Sequence, residues 1–126
     1  MSIPVALDQL AATIAERGDL AYLVTVGEHG PRVVSVTVVV DGDGDGSLVV
    51  GAGRHTAANV AVRPQVTLLW PAGGTDPKHS LLVDGTASVS DDGEHLLIVA
   101  TGAILHRVRA GRGVPPADDS APASSP

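Results

Sequence analysis

The stretch LAYLVTVGEHGPRVVSVTVVV, residues 20–40, leaves a chain few ways to fold. Valine and threonine are stiff at the first side-chain torsion and suit a pleated strand better than a helix. The period is two, so two strands are predicted, with GEHG as the hairpin turn between them. On the second strand Val34, Val36, Val38 and Val40 share one face, and Val33, Ser35, Thr37 and Val39 share the other. The first is a core face. The second is half polar and looks towards a ligand, a partner subunit or water.

Other segments follow the same style. Ile3, Leu7, Leu10 and Ile14 recur at helical spacing, which predicts a helix of about four turns from near Ser2–Pro4 to Gly18. SLVVGA reads as a strand, TAANVAVR as a short helix ended by Pro64, and QVTLLW as a further strand. After the loop PAGGTDPKH, SLLVDGTASVS is a long strand with a bulge or bend expected at Gly85. HLLIVA and AILHRVR are either two short strands broken at Gly102 or one bent strand. Six or seven short strands, an opening helix and one inserted helix indicate a mostly β chain closing into a small barrel.

Composition narrows the function. With 126 residues, no Phe, one Trp and one Tyr, the core must be built from Val, Leu, Ile and Ala. A net charge of −6 argues against a nucleic-acid partner, which needs an excess of Lys and Arg. No cysteine means no disulfide framework and no thiolate metal site, and a cytoplasmic location is expected. No apolar run approaches the roughly 20 residues of a membrane span, and the N-terminus lacks a signal-peptide pattern. From Gly111 the chain turns to GRGVPPADDSAPASSP, so residues 1–110 are expected to form the domain and 111–126 a Pro/Ala/Ser-rich tail.

Three motifs bear on chemistry. DGDGDG, residues 41–46, places Asp41, Asp43 and Asp45 at alternate positions as in a calcium loop. Ala52 stands where the bidentate Glu is required, and the flanks are strands, so an acidic hairpin loop is expected. The histidines show no metal-ligand spacing, no Ser–His–Asp order stands out, and His106 and Arg107 lie in a strand as structural residues. GAGRHTAANVAVRP, residues 51–64, has two readings. Thr56 caps the short helix by accepting the N–H of Asn59, or the helix start with Arg54, His55 and Thr56 grips a phosphate.

The order helix, hairpin, loop, strand, short helix, PQVTLLW, loop and LLVDGTASV resembles the pyridoxamine 5′-phosphate oxidase-like superfamily of split-barrel flavoproteins. The likeness runs from about residue 5 to 108. It is carried by Asn59–Pro64 leading into Val66–Trp70, and by VDGTA (83–87) at the family's V-E-G-x-A strand. The resemblance implies an antiparallel split β-barrel and a homodimer with FMN or a deazaflavin held by its phosphate between subunits. It implies an oxidoreductase acting on a small organic substrate. Arg54, His55 and Thr56 would then meet the phosphate, Ser35 and Thr37 the ring or ribityl chain, and Trp70 would stack on a ring. Thr56 stands where FMN-binding members carry a lysine, and Arg32 is the only basic residue of its strand. The other reading is a split-barrel homodimer that has lost redox chemistry and acts as a binding or scaffold protein. No residue is singled out as catalytic.

Overall fold

The computed structural model describes residues 2–42 and 45–110. Its strands are β1 (Ser2–Pro4), β2 (Leu20–Gly27), β3 (Gly30–Asp41), β4 (Ser47–Gly51), β5 (Gln65–Trp70), β6 (His79–Val89) and β7 (His95–Arg107). The helices are α1 (Leu10–Arg17), entered through a 3-10 turn at Leu7–Gln9, and α2 (Arg54–Val62). All pairings are antiparallel, in the order β1-β7-β4-β3-β2-β5-β6, and β6 returns to pair with β7. The sheet therefore closes on itself as a ring, with β1 added outside the circuit. GEHG is the tight turn expected, and β2 and β3 pair from Leu20↔Thr37 to Gly27↔Gly30.

β7 is one long strand, not two broken at Gly102. β6 follows one of its edges, while β4 at His95–Val99 and β1 at Ile104–His106 share the other. The expected irregularity at Gly85 is present: Asp84 pairs with Gly102 but Gly85 with Ala100, so Thr101 is an extra residue. Glycine is required there for space. A Cβ at Gly85 would lie 2.8 Å from both Ile98 Cγ2 and the Val99 carbonyl oxygen.

The ring encloses an aliphatic core in which Leu23, Leu48, Leu68, Leu81, Leu96 and Ile98 are fully buried. β3 contributes only Val36 and Val38 to the core; Val34 and Val40 sit nearer the surface. α1 inserts Leu10 and Ile14, and α2 packs on β2 and β6. The outward face is apolar as well, with Leu20, Val33, Val39 and Val99 all more than half exposed.

Two expectations are corrected. The first helix does not begin near Ser2–Pro4: that segment is β1, registered with Ile104–His106, and the α-helix starts at Leu10. A residue before proline avoids helical geometry, and the N–H of Val5 goes to the Ala103 carbonyl at 2.9 Å instead. Nor does Thr56 cap the inserted helix. The cap is Gly53, with no side-chain bond, and Thr56 is buried within the first turn.

The acidic loop is described only at its ends, where Asp45 accepts the Ser47 N–H at 3.1 Å. Bonds from Ser47 hold the Asp45 carboxyl below its ordinary value. The central residues 43–44, and with them the calcium-type spacing, lie outside the described residues, as does the tail 111–126.

Candidate functional site

Among the described residues, β3 pairs with β2 alone from Gly30 to Thr37, and β4 joins its other edge only at Val38. One edge of that stretch is therefore open, with backbone N–H and C=O groups free to bond a ligand. Ser35 and Thr37 are exposed along it, opposite Tyr22 and Leu20 of β2. At a rise of about 3.4 Å per residue, Arg32 and Thr37 stand about 17 Å apart along the strand.

At the hairpin end of the β2–β3 pair lies a cavity of about 280 Å³, lined by Gly27, Glu28, His29, Arg32, His55 and Asn59. The packing of α2 on β2 creates it. Asn59 donates its side-chain amide to Thr25 Oγ1 at 3.3 Å, and Thr25 is only 2% exposed. The amide lies close to the turn: a Cβ at Gly27 would stand 3.3 Å from both of its polar atoms, so Asn59 would have to shift slightly to admit one. The Arg32 guanidinium, the His55 imidazole and the start of α2, which has no side-chain cap, give the cavity the chemistry of an anion site. Glu28 is the opposing charge in its lining.

The residues singled out from sequence divide into three groups. His55 lines the cavity, and Arg54 is exposed one residue before it but outside the lining. Ser35 and Thr37 lie on the outward face of β3 beside the open edge. Thr56 and Trp70 are both turned inward. Thr56 is 8% exposed and Trp70 2%, and the Trp70 indole N–H donates to the Gly18 carbonyl at 2.9 Å. An indole bonded this way joins β5 to the end of α1 and leaves little free surface. Sequence reasoning missed Arg32 and Asn59 as cavity residues. The available signals were a lone basic residue in a valine strand and a lone amide in an otherwise apolar helical stretch.

A second polar cluster joins α1 to the loop after β5. Arg17, whose side chain is 7% exposed, contacts Asp76 Oδ2 at 3.3 Å and the Pro71 carbonyl at 3.4 Å. His79 Nδ1 lies 3.1 Å from both Asp76 oxygens, and the Lys78 N–H donates to Asp76 Oδ1 at 3.1 Å. Burial pushes the Asp76 carboxyl upward, but the His79 and Lys78 bonds and the charges of His79 and Arg17 outweigh it and hold it below its ordinary value. Beside this cluster, a cavity of about 260 Å³ is lined in part by Arg17, Leu20 and Trp70. Among the described residues no three His, Asp or Glu side chains are grouped to hold a metal ion, and no helix is long and apolar enough to cross a membrane.

Comparison with known proteins agrees with this architecture. An uncharacterized protein of Mycobacterium bovis is 42% identical over 116 residues, covering 80% of this chain and 79% of its own. A candidate pyridoxamine 5′-phosphate oxidase from Listeria innocua superposes with a TM-score of 0.62 at 19% identity, covering 79% of this chain and 98% of its own. An F420 reductase superposes with a TM-score of 0.54 at 17% identity, covering 85% of this chain and 97% of its own. At these identities the two solved structures speak for the fold. The sequence model of the pyridoxamine 5′-phosphate oxidase family matches residues 7–118, and with a closed antiparallel ring and one inserted helix, the chain belongs to that family.

Proposed function

We propose that this protein is a homodimeric oxidoreductase that binds FMN or a deazaflavin and acts on a small organic substrate. The observations that carry the reading are the Arg32–His55–Asn59 cavity at the hairpin end of the β2–β3 pair and the unpaired edge of β3 along the same strand. The residues fit such a cofactor: a guanidinium, an imidazole and the start of α2 suit its phosphate, with Arg54 beside them. Ser35, Thr37 and the unpaired backbone suit the polar atoms of its chain and ring. When bound, the cofactor supplies the hydride chemistry, and the protein's part is to orient it and exclude water. Family membership and the likeness to an F420 reductase and to a FAD-binding protein of Mesorhizobium loti support the choice of cofactor class.

The same reading takes the apolar outward face around Leu20, Val33, Val39 and Val99 as the surface two copies share. It takes the protein as cytoplasmic, with residues 111–126 as a tail beyond the domain. One observation favours the second reading, a homodimer without redox activity. Thr56, at the position where FMN-binding members carry a lysine, is buried, and Glu28 lines the cavity, so the positive charge there is modest. Titration with FMN and with the deazaflavin separates the two. Binding of either at micromolar concentration supports the oxidoreductase, and binding of neither supports the scaffold.

A further inference from the structure

We infer that the cavity between α1 and the loop after β5 binds a small organic molecule with a planar apolar body and a carboxylate or carbonyl oxygen, anchored by Arg17. As the substrate pocket of the enzyme, this rests on the cofactor reading above; as a binding site, it stands on its own geometry.

Position is the first support. Leu20, in the cavity wall, pairs with Thr37 across β2 and β3. A cofactor extending from the Arg32 end of β3 for about 17 Å brings its far end to Thr37, one strand spacing of about 4.8 Å from Leu20. The two cavities thus stand at opposite ends of one strand, with Ser35 between them.

Chemistry is the second. Arg17 is a nearly buried cation whose contacts to Asp76 and Pro71 are long, at 3.3 and 3.4 Å. Asp76 is also engaged by His79 and by the Lys78 N–H, so its oxygens are not given to Arg17 alone. A guanidinium has five N–H donors, and Nε of Arg17 has no partner within the described chain. Among the described residues no sealed side-chain nitrogen lacks a partner, so this Nε is open, and Arg17 lines the cavity. Leu20 and Pro71 add apolar surface to a wall otherwise formed by Gly73, Gly74 and Thr75, room for a small flat body with a polar edge. Glu16 in the lining and a net charge of −6 disfavour polyanions, leaving a single carboxylate or a neutral carbonyl.

Trp70, the only tryptophan, borders the cavity and reports on it by fluorescence. Benzoate is titrated into the cofactor-free protein, with benzyl alcohol as the comparison lacking the acceptor pair. The expected result is a saturable change with benzoate, weakened about tenfold in Arg17→Gln by loss of a charge-assisted bond. Thr75→Asp, at an exposed loop position in the cavity wall that leaves the core and the apolar outward face intact, is expected to weaken it similarly by placing a like charge there. No saturable change with wild-type protein, or equal affinity for benzoate and benzyl alcohol, would overturn the site; so would unchanged affinity in Thr75→Asp. Because no flavin is needed, loss of benzoate binding with flavin binding intact rejects this site alone. The reverse result rejects the cofactor reading alone.

Discussion

The side-chain amide of Asn59 in α2 donates to Thr25 Oγ1 in β2 at 3.3 Å, fixing the inserted helix against the hairpin and shaping the Arg32 cavity. Asn59→Ala leaves the Thr25 hydroxyl, 2% exposed, without that partner. The expected loss is about 1–3 kcal/mol in urea unfolding, partly recovered when Thr25→Val is added. Unchanged stability in Asn59→Ala would show that the bond does not hold the helix.

Gly85 is fixed by space. With a Cβ 2.8 Å from Ile98 Cγ2 and the Val99 carbonyl, Gly85→Ala must displace backbone as well as a side chain. Overpacking of this kind costs about 1–3 kcal/mol, read as a lower denaturation midpoint. A stabilised variant would mean that the strand has room the structure denies.

Asp76 makes stability depend on acid. Its folded carboxyl titrates below the ordinary 3.8, so its contribution is present above that value and is lost as pH falls through the lower folded value. Stability measured across the acid range should decline less steeply in Asp76→Asn, which is less stable than wild type at neutral pH. Parallel curves for the two proteins would show that Asp76 carries no such linkage.

Val39 is 58% exposed and pairs with Val49, which pairs with Leu97, so these three residues lie side by side across β3, β4 and β7. If two copies meet on the apolar outward face, Val39→Glu buries a charge at the seam. Sedimentation should then find a dimer for wild type and a monomer for the variant. A monomeric wild type contradicts the shared surface.

Local pattern made much of the fold legible. Period-two alternation gave β2 and β3, GEHG their turn, Pro64 the end of the inserted helix, and Gly85 the irregularity where β6 pairs with β7. What failed depended on distant partners. Ser2–Pro4 is a strand only because Ile104–His106 lies beside it, and no local window contains both. The bond from the Trp70 indole to the Gly18 carbonyl likewise joins residues far apart in sequence, which strand alternation alone does not specify. Of the proposed site, the placement of His55 at the helix onset and of Ser35 and Thr37 on one outward strand face could be read from the sequence. Arg32 and Asn59 were not, because the cavity they line exists only once α2 is docked on β2.

The most direct test is equilibrium titration of the purified protein with FMN and with the deazaflavin, in wild type, Arg32→Ala and Arg54→Ala. The account predicts micromolar binding of at least one cofactor, weakened about tenfold in Arg32→Ala by loss of a charge-assisted phosphate contact and at least several-fold in Arg54→Ala. Binding of neither cofactor, or binding indifferent to both arginines, would contradict it.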